Sequence, residues 1–313
     1  MNSLKIFSGE SNKDLANDIC KDLSIRLSDS NNFKFSNGEI GVCINESVRG
    51  DDVYIVQSTY TNESILELLI MIDALKRASA RRITAIIPYF GYARQDRKAR
   101  SREPITAKLI ANLLTTSGVD RILTCDLHTD QLQGFFDIPV DHLTAIPLLA
   151  NYFKEDLKVE LQNNNVIVVS PDHGSVTRSR RFAKLLNCDL AIVDKRRNYN
   201  IPNQSEVINI IGDIKEKICI LVDDMIDTAG TIVNAANTLV SRGSWQVFAC
   251  ATHGVLSEKY DDLLTNSELE KVIFTNTIPE KPLTLYHQYL NIANLFAHAI
   301  KRIHMEESIS DLF

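Results

Sequence analysis

Ile218-Cys-Ile-Leu-Val-Asp-Asp-Met-Ile-Asp-Thr-Ala-Gly-Thr231 decides how the chain is read. A continuous apolar run enters two adjacent carboxylates, Asp223 and Asp224, and then a turn of small and hydroxyl residues ahead of a helical pattern. Such a run suits a strand covered on both faces. In open α/β sheets the crevice at the carboxyl ends of these strands binds ligands. The turn Asp227-Thr228-Ala229-Gly230-Thr231 leaves little side chain over its backbone N–H groups, which favour a phosphate at the start of the next helix. Asp223 and Asp224 lie one step earlier and can accept hydrogen bonds from vicinal hydroxyls. The stretch therefore reads as a cradle for a sugar phosphate. A plain helix cap needs one Asp or Thr, and this turn offers a whole row of suitable residues.

The chain has 313 residues, too many for one ordinary core, and is read as two domains, 1–145 and 146–313. Apolar content of 44% and charged content of 24% are those of a soluble globular protein. No apolar run approaches a membrane span of roughly 18 to 20 residues, and Met1 to Glu10 has no signal-peptide pattern, so the expectation is a cytoplasmic protein without a membrane partner. A net charge of −6 argues against a nucleic-acid partner. The six cysteines contain no Cys-x-x-Cys pair, and Cys125, Cys219 and Cys250 sit in apolar runs, which suggests reduced core residues.

Strand-like and helix-like patterns alternate along the chain, the mark of an α/β fold. Leu4 to Phe7 precedes a helix reaching Leu23. Phe33 to Phe35 and Gly41 to Ile44 flank Ser36-Asn37-Gly38-Glu39, a hairpin signal. Strands follow at 52–58 and 82–87, with a helix at 62–78 between them. Pro88 opens a basic loop carrying Arg94, Arg97, Lys98, Arg100 and Arg102, placed directly after a strand, where an anionic ligand is expected. A helix at 105–117 leads to the strand 121–125, which ends in Asp126-Leu127-His128-Thr129. His128 is either a packed imidazole or a ligand for Mg²⁺ or nucleotide phosphate. The second cycle opens near Ile146. The strand 166–170 enters Pro171-Asp172-His173-Gly174-Ser175 and a helix bearing Arg178, a second junction able to hold phosphate, with Asp172 in reach of a metal on it. The strand 190–193 leads to Asp194-Lys195-Arg196-Arg197 and a polar segment, 198–205, with the composition of a closing loop. Strands at 207–210, 246–251 and 271–275 and helices at 231–241 and 290–305 complete the pattern.

Phe-Ser-Asn-Gly-Glu-Ile at 35–40, Tyr-Ala-Arg-Gln-Asp-Arg-Lys at 92–98, Ser-Arg-Glu-Pro-Ile-Thr-Ala-Lys at 101–108, Gln-Gly-Phe-Phe-Asp-Ile-Pro-Val-Asp at 133–141 and Asp-Lys-Arg-Arg at 194–197 join the opening stretch in a single order. From Leu4 to Phe313 the chain resembles the ribose-phosphate pyrophosphokinases, also called phosphoribosyl diphosphate synthetases. The resemblance implies two tandem phosphoribosyltransferase-like domains, each a mostly parallel sheet flanked by helices. It implies transfer of the diphosphoryl group of MgATP to the 1-hydroxyl of ribose 5-phosphate, yielding AMP. By resemblance, ribose 5-phosphate lies on Arg197, Asp223, Asp224 and Asp227 to Thr231 (Asp227, Thr228, Ala229, Gly230, Thr231). ATP meets Arg94, Gln95 and His128, with Phe35, Asn37, Gly38 and Glu39 reaching across from a neighbouring subunit. His128 and Asp172 would hold Mg²⁺, and Lys195 and Arg197 match the catalytic pair. The implied assembly is a homohexamer, with phosphate and ADP as effectors near Ser47, Arg49, Arg81, Ser308 and Ser310.

Four departures from the family pattern bear on activity, one of them the divergent region around Pro279 to Gln288. Ser175 stands where a second glycine is usual, and a serine there would cost about 1 kcal/mol or more if the position needs positive φ. The segment 198–202 replaces an Arg-Pro-rich one, and Asn37 replaces a frequent Asp. A weakly active or regulatory homologue, or less readily a phosphoribosyltransferase, is the rival expectation.

Overall fold

The computed structural model describes residues 3–196, 207–257 and 260–312. The chain forms two compact units, one of 1–144 with 277–279 and 291–313, the other of 145–276 with 280–290. The last 23 residues thus belong to the first unit, whereas the sequence reading gave everything after 145 to the second. Packing of the C-terminal helix Ala293–His304 against the helix Lys13–Asp22, far away in sequence, leaves no local mark at the chain position where it happens.

The first unit holds β1 (Leu4–Ser8), α1 (Lys13–Asp22), β2 (Ser30–Lys34), β3 (Ile40–Ile44), β4 (Asp52–Val56), α2 (Asn62–Arg77), β5 (Arg82–Ile87), α3 (Thr106–Ser117), β6 (Arg121–Cys125) and β7 (Val140–Leu143). Five of these strands form a parallel sheet in the order β1-β4-β5-β6-β7, and β2 and β3 make a separate antiparallel arm. Every residue of β4 is buried, as expected for a strand with helices over both faces. Thr61 and Ser64 form a reciprocal capping box that starts α2 immediately beyond the carboxyl end of β4.

The second unit holds α4 (Ile146–Asp156), α5 (Lys158–Gln162), β8 (Val166–Ser170), α6 (Val176–Leu186), β9 (Asp189–Arg196), β10 (Val207–Ile211), β11 (Ile218–Ile226), α7 (Gly230–Ser241), β12 (Gln246–Gly254), α8 (Tyr260–Thr265), β13 (Lys271–Thr275) and β14 (His287–Leu290). The chain then returns to the first unit as α9 (Ala293–His304). The second sheet runs β10-β9-β8-β11-β12-β13-β14, parallel except for β10 on its edge. β11 is its middle strand. Ile218, Ile220 and Val222 pack with Phe153 and Phe182 of α4 and α6, while Cys219 and Leu221 pack with Ile232, Ala236 and Leu239 of α7. Each large side chain so buried contributes roughly 1.5–3 kcal/mol, so the apolar run is satisfied on both faces. Both units are α/β with parallel sheets and flanking helices, the class read from the sequence.

The order of the second sheet creates a switch point. From β8 the chain moves outward to β9 and β10, then crosses back to lie on the other side of β8 as β11. α6 covers one face and α7 the other, so a crevice opens between the carboxyl ends of β8 and β11.

Candidate active site

The 171–175 loop leaves β8 and the 227–229 turn leaves β11, so both flank this crevice. β11 continues to Ile226, four residues beyond the apolar run, and this places Asp223 and Asp224 on the strand itself. Neighbouring strand residues face opposite ways. Asp224 is 3% exposed and turned toward Arg178 of α6, Nη1 to Oδ1 3.3 Å. Asp223, with its side chain 16% exposed, is the carboxylate that reaches the crevice. The sequence pairs the two aspartates as hydroxyl acceptors; burial distinguishes them, Asp224 being enclosed and Asp223 the more open.

Asp223 Oδ1 accepts from the Ser175 hydroxyl at 2.8 Å and from the Asp224 N–H at 2.9 Å, with Arg178 Nη1 3.7 Å away. Burial, and next the charge of Asp224, push the Asp223 carboxyl up to about 7, against the hydrogen bond from Ser175 and the charge of Arg178. Ser175 also donates its backbone N–H to Asp172 Oδ1 at 2.9 Å, which orients that carboxylate at the loop's head. Its φ of −87° is ordinary for any residue. The strain cost entertained for a serine at this position therefore does not arise.

Ala229 adopts φ 65° as the residue ahead of α7, and its side chain offers no cap to the first helical N–H groups. Thr228 and Thr231 are exposed, Asp227 and Gly230 half-buried. A Cβ at Gly230 would meet nothing nearer than Thr228 Oγ1 at 4.0 Å. The turn thus offers open, uncapped amides at a helix start, the environment of a bound anion. Lys195 lies near the end of β9, its backbone paired with Ile208 of β10. Arg197 and the polar segment 198–205 lie outside the described residues.

In the first unit the basic loop follows β5 and the His128 turn follows β6, so adjacent strands bring both to one carboxyl edge. Gly91 anchors the basic loop: its N–H donates to Thr59 Oγ1 at 2.8 Å, and a Cβ there would stand 1.9 Å from the Thr59 carbonyl oxygen. Tyr92 turns the chain with φ 62°, and Arg94 and Gln95 emerge exposed beyond it. The Gln95 backbone N–H donates to the Tyr92 carbonyl at 2.8 Å, and its side chain accepts from Thr106 at the start of α3. Behind His128, Asp126 takes φ 37° and accepts from Thr144 Oγ1 at 2.8 Å, while the Leu127 N–H donates to His142 Nε2 at 2.8 Å. Thr129 donates to Asp96 at 3.1 Å, stitching the His128 turn to the basic loop. Left-handed, non-glycine backbone held by this many bonds is a form that functional loops often take.

Phe35, Asn37, Gly38 and Glu39 occupy the exposed tip of the β2–β3 arm. Gly38 has φ 89°, and Asn37 Oδ1 accepts from the Glu39 N–H at 3.2 Å, so the tip is a fixed turn with Phe35 edge-on to Phe33 at 5.0 Å. The five suggested effector residues are exposed. The Gly50 N–H donates to Ser79 and the Arg81 N–H to Asp51, which draws the turns of Arg49 and Arg81 together; the Ser47 carbonyl accepts from Lys5; Ser308 and Ser310 share a hydroxyl contact of 2.6 Å. Among the described residues no three His, Cys, Asp or Glu side chains converge as a metal cage, and no helix is long and apolar enough to cross a membrane. The sequence reading noted Arg178 without giving it a role. Its place on the first turn of α6, three residues past Ser175, was the available signal.

Residues 4–118 match the family model for the N-terminal domain of ribose phosphate pyrophosphokinase, and residues 195–313 match the phosphoribosyl synthetase-associated domain. A ribose-phosphate pyrophosphokinase of Clostridium perfringens is 56% identical over 99% of this chain and 98% of its own, and one of Caldanaerobacter subterraneus is 55% identical over 100% and 98%. The crystal structure of phosphoribosylpyrophosphate synthetase from Mycobacterium smegmatis superposes with a TM-score of 0.89 at 43% identity, covering 98% of this chain and 100% of that one. Similarity of this degree along the whole of both chains means that the protein belongs to the ribose-phosphate pyrophosphokinase family.

Proposed function

We propose that the protein transfers the diphosphoryl group of ATP to the 1-hydroxyl of ribose 5-phosphate. The hydroxyl oxygen attacks the β-phosphorus, the bond from that phosphorus to the bridging α–β oxygen breaks, AMP leaves, and the hydroxyl proton passes to solvent. The switch-point crevice is the single observation that carries the reading: an oriented carboxylate, Asp223, lies one step ahead of the open amides of 227–231. That spacing suits a pentose hydroxyl on the first and its 5-phosphate on the second. Transfer of this type needs positioning and charge stabilisation more than a protein nucleophile. Lys195 and Arg197 supply the cations in this reading, and Arg94, Gln95 and His128 receive ATP.

Magnesium fits the donor set. It prefers oxygen, keeps water, and is commonly held by one or two protein groups plus substrate phosphates. His128 and Asp172 would each give one ligand, and the ion would neutralise phosphate charge. The exposed arm carrying Phe35, Asn37, Gly38 and Glu39 is the element suited to completing a neighbour's ATP site, within a homohexamer. Phosphate and ADP would act at Ser47, Arg49, Arg81, Ser308 and Ser310, and a cytoplasmic location accords with the chemistry.

Purified protein with MgATP should release AMP only when ribose 5-phosphate is added. Lys195→Ala should lower turnover by about 10²–10³-fold, the usual effect of removing one charge-stabilising donor, with little change in ribose 5-phosphate affinity. No AMP with both substrates present would favour a regulatory homologue, and a Lys195 variant within tenfold of wild type would remove that residue from catalysis.

A further inference from the structure

We infer that Ser175 is a positioning residue for the pentose, its hydroxyl tethering one oxygen of Asp223 so that the other is presented to the sugar hydroxyls. The inference rests on the reading of Asp223 as the ribose-binding carboxylate. Two donors converge on Asp223 Oδ1, the Ser175 hydroxyl at 2.8 Å and the Asp224 N–H at 2.9 Å, and the Arg178 guanidinium forms an ion pair with it at 3.7 Å. Asp223 Oδ2 has no hydrogen-bond or ion-pair partner among the described residues, on a side chain that is 16% exposed. A carboxylate held by one oxygen has little rotational freedom left to lose when a hydroxyl binds the other, which is preorganisation of the acceptor.

Backbone conformation does not call for a serine. At φ −87° and ψ 1° any residue fits, so the hydroxyl is separable from the turn that carries it. Ser175 is also 4% exposed, which keeps water from competing for its bond. The same residue donates its N–H to Asp172 Oδ1, so it links the loop after β8 to the carboxylate on β11, one atom pair to each. The hydroxyl donor favours the ionised form of Asp223, and a carboxylate accepts from sugar hydroxyls better than a carboxylic acid. Without the hydroxyl, Oδ1 keeps one amide and a more distant guanidinium, and the carboxyl plane is less tightly held.

The experiment compares Ser175→Ala, Ser175→Gly, Ser175→Thr and Asp223→Asn in the full-length enzyme, reading KM for each substrate and kcat. Ser175→Ala and Ser175→Gly should each raise KM for ribose 5-phosphate about five- to tenfold, the worth of one hydrogen bond. KM for ATP should stay within twofold and kcat within threefold. Ser175→Thr, which keeps a hydroxyl, should restore KM to within about twofold of wild type. Thermal melts of all four report folding, and the glycine variant, which tolerates any backbone there, covers the case in which alanine perturbs the loop. If Asp223→Asn leaves KM for ribose 5-phosphate unchanged, the ribose-binding reading of Asp223 fails. If Asp223→Asn raises it while Ser175→Ala and Ser175→Gly do not, the tether alone is overturned. A rise in KM for ATP equal to that for ribose 5-phosphate also overturns it, since the loop would then be acting on diphosphate.

Discussion

Asp52 and Asp223 are both strand aspartates withdrawn from solvent, and their surroundings are opposite. Asp52 opens β4 at the amino edge of the first sheet, 4% exposed. Arg82 grips it with two bonds, Nε to Oδ1 2.7 Å and Nη2 to Oδ2 2.5 Å, the Tyr54 hydroxyl donates at 3.2 Å, and His304 Nδ1 stands 2.8 Å from Oδ2. Burial alone would raise this carboxyl, and the hydrogen bonds and charges of Arg82 and His304 outweigh burial to hold it below its usual range. Asp223 lies toward the carboxyl edge of the second sheet with a second carboxylate beside it and one guanidinium shared between the pair. Its carboxyl is raised by burial and by Asp224. A saturated carboxylate staples structure; a starved one is held for a ligand. The edges fit this division, since ligands in such sheets gather at the carboxyl ends.

The sharpest way to break the contrast is Asp52→Asn. Arg82, whose side chain is 29% exposed, would lose its charge partner while also holding the Ile303 carbonyl at the end of α9. Fully buried pairs cost about 3–5 kcal/mol when one partner is removed, and partial exposure of Arg82 lowers the expectation to roughly 2–3 kcal/mol. Urea unfolding should show this loss, with both KM values of the folded enzyme unchanged. A loss below about 0.5 kcal/mol would place Asp52 among ordinary surface pairs.

A second test uses pH, where the two residues should act with opposite sign. Asp223 has a folded pKa above the usual 3.8, so the native state binds its proton more tightly than the unfolded chain does. Its contribution to stability is complete below 3.8, declines as pH rises, and is gone above about 7. Asp52 has a folded pKa below 3.8, so its contribution is present above that value and is lost as pH falls through the folded pKa. Thermal melts between pH 3 and 8 should therefore show Asp223→Asn flattening the decline between 4 and 7, and Asp52→Asn flattening the acid limb. Identical pH curves for wild type and Asp223→Asn would mean that the Asp223 carboxyl titrates alike in the folded and the unfolded chain.

How much of this was legible in the sequence follows the range of the forces involved. The apolar run 218–222 announced a strand with two covered faces, and the basic loop, the His128 turn and the 227–231 turn each follow the strand that was expected to place them. These signals are local: periodicity, turn chemistry and strand ends. Three features were not legible. The burial of Asp224 depends on Arg178 arriving from another element. The short strands β7 and β14 lack a strong pattern of their own and exist through their neighbours in the sheet. Asp52 finds Arg82 across 30 residues and His304 across 252, and nothing in the local pattern of β4 points to either. The Ser175 substitution is visible at once, but its effect turns on one dihedral angle, and a φ of −87° removes the strain cost that a positive φ would have carried.

The smallest effect separates the two side chains that hold Asp52. His304 has an 18% exposed side chain and ends α9, so its contact with Asp52 is the polar half of the junction that returns the C-terminal segment to β4. Arg82 already supplies two bonds to the same carboxylate, so the imidazole adds to a group that is nearly satisfied. His304→Ala should cost about 1 kcal/mol, the worth of a single hydrogen bond, and leave the Asp223 limb of the pH curve in place. In a background of Asp52→Asn the same change should cost measurably less, with a coupling of about 0.5–1 kcal/mol between the two sites. Strict additivity would mean that His304 stabilises α9 by packing alone, and the saturated carboxylate would then owe its character to Arg82.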